Sequence, residues 1–439
     1  MRTGVKPTRP RPAAARIARH ARRPGHETSS AHLRGALPFL AGDPPLRRGI
    51  YIGRDAYGQA FCCDPFELYE AGLITSPNMA VIGQIGVRKS SLVKSILWRS
   101  RLFGRFAWVI DVKAEYGPLC EAIGGTTVAL RPGGSVRLNP LSPHAGPEQQ
   151  DELLQAVAAA ALGRELEPQE ATGLTAALDV VRERAPGPEP VLPDVAEVLL
   201  RPTEEMAARL VTDVGRLSAD VRTVALALVR LTDGELRGMF DGPTSATIDW
   251  TAPLIVIDLA EVANSRALVV LMACATAAIQ AQVINRHRGA ELAQLPTPKT
   301  FGVVEEGWRI TSHEPIARML QSRYKLTRRY GESNIGVFHR VTDLDAAGDA
   351  GSTAVRLAEG LLAETEIRVT HKQPSDQIAA ARRRMGFTET EAQLLPLLDS
   401  GVAIWHVGRH RSIVQHRISA LERTLVETDQ HMHLHRRKG

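Results

Sequence analysis

The sequence predicts an α/β protein whose core is a parallel, doubly wound sheet. Short apolar runs rich in β-branched residues alternate with segments that are apolar at helical spacing. Several of these runs end in a polar residue, and one early run leads into a glycine-containing loop followed by a helix. In such sheets ligands bind at the carboxyl ends of the strands, so we expect the functional site at that edge.

The composition is that of an ordinary globular chain. Of 439 residues, 44% are hydrophobic and 23% charged, which excludes collagen, a coiled coil and a wholly disordered protein. The longest apolar runs, 254–259 and 267–278, fall short of the roughly 20 residues that cross a bilayer, so we expect no transmembrane segment. Four cysteines without a CxxC pair indicate a reducing compartment, and we expect a cytoplasmic protein.

Residues 1–48 are predicted to form a disordered basic arm. They contain eleven Lys or Arg against Glu27 and Asp43, a local charge of +9, together with many prolines. Such a stretch cannot bury enough apolar surface to fold alone. It could contact nucleic acid, anionic lipid or nothing, and a transit peptide is a less favoured interpretation.

Residues 49–145 are predicted to hold a small N-terminal β element and the first part of the core. Alternating apolar residues at 49–53 and 59–62 favour a hairpin, which is followed by strands at 79–82 and 106–111. A helix at 90–98 separates the two strands.

Residues 146–249 contain helical patterns and almost no strand signal, so we interpret them as an all-helical insertion. The second part of the core, 250–418, has predicted strands at 254–258, 300–306, 334–339 and 366–370. The remaining residues, 419–439, read as a helix end and a basic, histidine-rich tail.

Residues 387–401 are similar to the first helix of a helix-turn-helix, but no recognition helix follows. The next residues, 402–407 and 412–415, instead favour a β-hairpin. The alternating His431, His433 and His435 could capture a metal ion, although we favour a tail without a metal site.

A phosphate-binding loop is the strongest chemical signal. Residues 83–90 keep the spacing Gly-x-x-x-x-Gly-Lys-Ser, except that Arg88 stands in place of the second glycine. The candidate nucleotide-binding residues are Gly83, Gln84, Ile85, Gly86, Val87, Arg88, Lys89, Ser90 and Ser91. Lys89 would neutralise the β- and γ-phosphates and the Ser90 hydroxyl would hold Mg²⁺. A left-handed conformation at Arg88 would cost about 1 kcal/mol, and its side chain could crowd the phosphates. The alternative is a chance glycine-rich turn.

A pair of glutamates at the end of the 300–306 strand suggests the catalytic part of the site. Glu305 stands where a carboxylate holds Mg²⁺ through water, and Glu306 where a carboxylate polarises the attacking water. A surface pair of glutamates is the alternative.

Other candidates also lie beside strands. Glu115, in the segment Asp111-Val-Lys-Ala-Glu-Tyr116, and His339 could face the γ-phosphate, or could be polar strand caps. Arg328 and Arg329 are candidates for a finger that reaches a neighbouring subunit's nucleotide, or for a solvated helix terminus.

The order of these motifs resembles the conjugation-channel ATPases of type IV secretion, the VirB and TraC class within the FtsK and HerA superfamily. The resemblance is to the versions on actinobacterial mobile elements and covers about residues 49–425. The motifs that carry it are Asp64-Pro-Phe-Glu-Leu-Tyr69, the loop at 83–90, Asp111-Val-Lys-Ala-Glu-Tyr116, Leu254-Ile-Val-Ile-Asp-Leu259, Glu305-Glu-Gly-Trp308, Tyr330-Gly331 and the segment 339–343.

The resemblance implies a RecA-like P-loop motor domain that binds ATP and Mg²⁺ and often forms a homo-hexameric ring. Such proteins are usually cytoplasmic and docked on a membrane channel, at the inner face of the membrane. By position, Lys89 and Ser90 would bind nucleotide and Mg²⁺, Glu306 would activate water, and Arg328 or Arg329 would act in trans. Arg88, Glu305 and His339, which is a glutamine in many relatives, depart from the family pattern.

Three functions are compatible with these residues. The leading hypothesis is an ATPase that powers conjugative transfer of DNA or protein. The second is a degenerate nucleotide-binding scaffold without hydrolysis, favoured by the altered residues. The third is a DNA translocase, with DNA bound by the basic arm or the pore of a ring; the slightly acidic body of the chain argues against it.

Overall fold

The computed structural model describes residues 48–142, 146–184, 189–235, 237–245, 247–265, 268–306, 314–344 and 353–427. The predicted arm up to residue 47 and the histidine-rich tail from 428 lie outside the described residues.

Eleven described strands form one mixed sheet in the order β2-β1-β11-β10-β9-β3-β8-β7-β4-β6-β5. The strands are β1 Tyr51–Asp55, β2 Ala60–Cys62, β3 Met79–Ile82, β4 Phe106–Asp111, β5 Thr126–Ala129, β6 Leu254–Asp258, β7 Thr300–Val304, β8 Glu332–Phe338, β9 Ile367–His371, β10 Val402–Val407 and β11 His410–His416. The predicted parallel sheet is confirmed from β9 to β5, where every neighbouring pair is parallel.

On the other side of β9 the sheet differs from the prediction, because the strands β10, β11, β1 and β2 pair in antiparallel fashion. The predicted N-terminal hairpin of β1 and β2 is present, and it joins the core sheet because β1 pairs with β11. The predicted hairpin of β10 and β11 links it to β9 in antiparallel register. Strand β5 was not predicted, since its short sequence contains two threonines and lies at the edge of the sheet.

Helices cover both faces of the sheet. They are α1 Pro65–Glu70, α2 Lys89–Ser100, α3 Gly117–Ile123, α4 Pro147–Leu162, α5 Pro168–Glu183, α6 Leu192–Leu200, α7 Glu204–Arg209, α8 Val214–Arg230, α9 Leu268–Leu292, α10 Glu314–Tyr330, α11 Thr353–Ala363, α12 Ile378–Met385, α13 Glu389–Leu394 and α14 Ala420–Val426. Side chains of β4 alternate between the two layers: Trp108 and Ile110 pack with α4 to α9, whereas Ala107 and Val109 pack with α2 and α3. Short 3₁₀ turns follow several of these elements.

Helix α9 is, among the described residues, the one helix long and apolar enough to cross a membrane. It lies against the sheet and α4, and 67% of its most apolar stretch is buried in the protein. A core helix satisfies the same criteria of length and composition.

The parallel strands end together at one edge. Ile82 of β3 pairs with Phe338 of β8, and Ile110 of β4 pairs with Val304 of β7. The residues that follow these strands therefore meet at one place, which is where ligands bind in open α/β sheets.

Candidate nucleotide site

The loop from β3 to α2 has the geometry of a phosphate cradle. Gly86 has a φ of +81°, which favours glycine. At Gly83 a Cβ atom would lie 2.6 Å from the Cβ of His371, so only glycine fits beside the end of β9. The first N–H groups of a helix have no intrahelical partner and carry partial positive charge, so the start of α2 offers donors to an anion. Ser90, half-buried, lies at this terminus, whereas Ser91 is buried on the inner side of α2.

Arg88 adopts the left-handed conformation that the missing glycine predicts. Its φ and ψ are 71° and 34°, and it forms the N-cap of α2 without a side-chain capping bond. The guanidinium extends to the C-terminal segment, where it lies 3.1 Å from the Glu427 carboxylate. The side chain is thus accommodated by an ion pair beyond α14.

Lys89 is buried and turned into the loop. Its ammonium group donates to the carbonyl oxygens of Gly83, at 2.5 Å, and Gln84, at 3.0 Å. It also lies 3.3 Å from Nδ1 of His339. Since an ammonium group can only donate, Nδ1 accepts in this contact, and the other ring nitrogen carries the proton.

Glu306 lies at the centre of a polar chain. Nε2 of His339 lies 2.8 Å and 3.0 Å from its two carboxylate oxygens, and Nζ of Lys113 lies 2.5 Å from Oε1. Burial alone would lower the pKa of Lys113, but the hydrogen bond and charge of Glu306 outweigh it and raise that pKa. Contacts therefore run without a break from Lys89 through His339 and Glu306 to Lys113.

The loops that carry these groups are held in unusual backbone conformations. Glu306 has a φ of 55°, and Ala114, between Lys113 and Glu115, has a φ of 54°. Left-handed conformations cost free energy in residues other than glycine and concentrate at functional sites. Asp111 fixes the second loop, because its carboxylate accepts hydrogen bonds from the backbone N–H groups of Lys113 and Tyr116, both at 2.9 Å.

Glu305 points into the protein rather than along the loop surface. It is 3% exposed, and the hydroxyl of the buried Tyr116 donates to Oε1 at 2.6 Å. Burial raises the pKa of Glu305, although the Tyr116 hydrogen bond opposes this shift. Its role as a metal ligand stays a prediction, because the contact that the structure shows for its carboxylate is the hydrogen bond from Tyr116.

A buried lysine of α2, Lys94, contacts Glu115 and Tyr116 from below the loop that follows β4. The Lys94 side chain is fully buried, its ammonium lies 3.4 Å from the Glu115 carboxylate, and it sits 5.0 Å from the centre of the Tyr116 ring. Burial lowers the pKa of Lys94, and the charge of Glu115 opposes that shift. Glu115, predicted to face the γ-phosphate, is thus paired on its inner side with α2.

The donors present suit Mg²⁺ bound mainly through a nucleotide. Among the described residues, no three His, Cys, Asp or Glu side chains are clustered as ligands of a metal ion. Mg²⁺ commonly binds through one or two protein oxygens together with substrate phosphates and water. Ser90, half-buried at the start of α2, is the residue predicted for this role.

Arg328 and Arg329 lie at the opposite end of the strands from the loop at 83–90, close to where β8 begins. Both are exposed at the end of α10, which leads into the beginning of β8, and the carbonyl of Arg329 contacts the His287 ring at 2.8 Å. They do not meet the loop at 83–90 within this chain. Their position fits the alternative of a solvated helix terminus, and a role toward another subunit stays a prediction.

Sequence reasoning assigned no role to Lys113, Lys94 or Tyr116. Lys113 and Tyr116 belong to the segment after β4 that contains Asp111 and Glu115, and their closeness in sequence to these acidic residues was the available signal. Lys94 was hidden in the apolar pattern of α2, and only the packing shows that it lies under Glu115.

Comparisons with known proteins agree with this architecture. No family model matches the chain. Protein TraC of Escherichia coli K12 is 24% identical over 360 residues, which are 80% of this chain and 38% of TraC. An uncharacterised Bacillus anthracis protein is 29% identical over 108 residues, 24% of this chain and 16% of that protein. The chain thus spans well under half the length of either relative.

Solved structures share the fold. VirB4 of Thermoanaerobacter pseudethanolicus superposes with a TM-score of 0.67 at 21% identity, over 86% of this chain and 98% of that one. The bacterial conjugative coupling protein TrwB superposes with a TM-score of 0.57 at 15% identity, over 88% and 91% of the two chains. The chain is therefore similar in sequence to part of TraC and shares the fold of VirB4 and TrwB.

Proposed function

We propose that this chain is an ATP-driven motor of a conjugative, type IV secretion machine. The observation that carries the proposal is the unbroken contact chain from Lys89 of the phosphate loop through His339 to Glu306. It joins a phosphate-binding group to a carboxylate base at the strand edge where a nucleotide would bind. Homology to TraC and the fold shared with VirB4 and TrwB support the same function.

The residues have separable roles in hydrolysis. Lys89 and the N–H groups at the start of α2 would hold the β- and γ-phosphates, and TrwB is known in complex with ADP and Mg²⁺. Mg²⁺, held by Ser90, would neutralise charge on the phosphates. Glu306 would accept a proton from water as the water oxygen bonds to the γ-phosphorus and the bond to the ADP oxygen breaks. His339 would orient Glu306 and respond to the γ-phosphate.

The proposal extends to a homo-oligomeric ring. Arg328 and Arg329 are exposed and remote from the loop of their own chain, so they would act on the nucleotide of a neighbouring subunit. A hexamer, docked at the cytoplasmic face of a membrane channel, is the arrangement that we propose.

A degenerate nucleotide-binding scaffold is the second candidate. The observation that favours it is the burial of Glu305, whose carboxyl is turned inward onto the Tyr116 hydroxyl. Arg88 in place of glycine points the same way. This candidate predicts nucleotide binding without turnover.

Steady-state ATP hydrolysis with Mg²⁺ tests the proposal. We expect turnover by the wild-type chain, its loss in Lys89→Ala together with nucleotide binding, and its loss in Glu306→Gln with binding retained. Arg329→Ala mixed with Glu306→Gln would recover activity if the arginine acts in trans, because one mixed interface then holds both intact groups.

The remaining outcomes separate the candidates. Binding without turnover in the wild type, with activity gained in Arg88→Gly, would establish the scaffold. Hydrolysis stimulated severalfold by duplex DNA would indicate a translocase. Absence of nucleotide binding by the folded wild-type protein would refute both the motor and the scaffold.

A further inference from the structure

Lys113 and Glu306 form an ion pair that leaves the proposed base little freedom to act. Oε1 of Glu306 is contacted by both Lys113, at 2.5 Å, and His339, at 2.8 Å, while Oε2 is contacted by His339 at 3.0 Å. The Glu306 side chain is only 6% exposed. A carboxylate with one oxygen held by a cation and the other held by a histidine ring is a weak proton acceptor. For Glu306 to act as a base, Lys113 would therefore have to change partner.

The location of Lys113 allows that change. Its side chain is 38% exposed, and it lies on the loop after β4 beside Ala114, at the strand edge that holds Lys89 and His339. Lys94, the lysine that pairs with Glu115, is fully buried and has no such freedom.

The charges of the region indicate the new partner. Asp111, Glu115 and Glu305 are acidic groups next to the Lys113–Glu306 pair, so a terminal phosphate at this place needs a cation to offset their charge, and the ammonium group of Lys113 can do so. A terminal phosphate carries more negative charge than one carboxylate and offers several oxygens to an ammonium donor. It is the anion that can compete with Glu306 for Lys113.

We propose that Lys113 exchanges Glu306 for the terminal phosphate of a nucleoside triphosphate, and by leaving Glu306 makes that carboxylate available to water. The inference rests on the proposed nucleotide site, and it explains how that site would distinguish a nucleoside triphosphate from a diphosphate. A nucleoside diphosphate lacks the γ-phosphate, so the Lys113–Glu306 ion pair would stay intact when it binds. Lys113 thereby couples recognition of the triphosphate to release of the base.

Calorimetric titration with ADP and with the non-hydrolysable analogue AMPPNP, both with Mg²⁺, tests the exchange without requiring turnover. In Lys113→Gln we expect AMPPNP affinity to fall by about tenfold or more, as for loss of a charge-assisted hydrogen bond, with ADP affinity nearly unchanged. Lys113→Arg should restore much of the preference. Lys299→Gln is the matched control, because Lys299 pairs with Glu70 at 3.0 Å before β7, at the opposite edge of the sheet.

A double variant separates contact from charge neutralisation. If Lys113 exchanges Glu306 for the phosphate, Lys113→Gln should weaken AMPPNP binding at least as much in the Glu306→Gln background as in the wild type, because Lys113 then no longer has to leave Glu306. If the loss disappears in the Glu306→Gln background, Lys113 only neutralises Glu306, and the exchange is refuted. Equal loss of ADP and AMPPNP affinity would also refute it. Failure of wild-type protein to bind either nucleotide would overturn the proposed function, and the inference with it.

Discussion

Tyr116→Phe removes one hydroxyl from the interior and takes a hydrogen-bond donor from Glu305. The phenylalanine retains the ring 5.0 Å from Lys94, so the packing is conserved. Glu305 is 3% exposed and its bond to Tyr116 is 2.6 Å long, which places the change where water cannot substitute. Hydrogen bonds to buried charged groups contribute about 1.5–3 kcal/mol, so we expect a loss near 2 kcal/mol in the free energy of unfolding at neutral pH.

The loss should depend on pH. Burial raises the pKa of folded Glu305 above its ordinary value of 4.5, so the folded protein binds this proton more tightly than the unfolded chain does. The contribution of this group is complete below pH 4.5 and is lost as the pH rises through the folded pKa. Without the Tyr116 donor the folded pKa rises further. The variant should therefore lose about 1 kcal/mol more at pH 8 than at pH 5, where the carboxyl is closer to neutral.

Urea unfolding followed by tryptophan fluorescence at the two pH values measures this difference. The control is the same substitution in a Glu305→Gln background, whose neutral amide removes the titration, so the pH-dependent part should vanish. The reasoning is refuted if Tyr116→Phe is equally destabilising at pH 5 and pH 8, or if the pH-dependent part survives in Glu305→Gln.

Two other substitutions test the packing that positions the site. Arg323→Ala should lower the free energy of unfolding in urea by about 3–5 kcal/mol. The Glu332 side chain is 3% exposed and lies 2.5 Å from the Arg323 guanidinium, so the substitution leaves a buried carboxylate without its counter-charge. A loss below about 1 kcal/mol would contradict this. Gly302→Ala should lower the thermal unfolding midpoint, because a Cβ would lie 2.2 Å from the Trp108 ring, whereas Gly289→Ala, in open space on α9, should be neutral or stabilising; equal midpoints for the two variants would disprove the packing argument.

The parallel half of the sheet could be predicted because its strands are short, apolar and bounded by helices. Strand β3 and the loop at 83–90 are local in sequence, and so is the left-handed conformation of Arg88, since the spacing of the loop demands it. The helix-turn-helix interpretation was set aside correctly: residues 402–407 and 410–416 form β10 and β11.

The sequence could not show the antiparallel edge or the contacts inside the site. Pairing of β1 with β11 joins residues more than 350 positions apart, and no local pattern encodes that register. Glu305 and Glu306 are adjacent in sequence, yet one is held by Tyr116 and the other by His339 and Lys113. Their partners come from different strand ends that only the folded sheet brings together.

By itself, the sequence determined the strand–loop–helix cradle, the residues at the ends of the parallel strands and the family resemblance, because each depends on neighbours along the chain. Tertiary structure alone decided which of these polar groups touch. It turned Glu305 inward, linked Lys89 to Glu306 through His339, and placed Lys113 on the base. The physical reason is that the nearest counter-charge and the cost of burial determine the position of a charged side chain at the end of a strand. Both depend on strands that are distant in sequence.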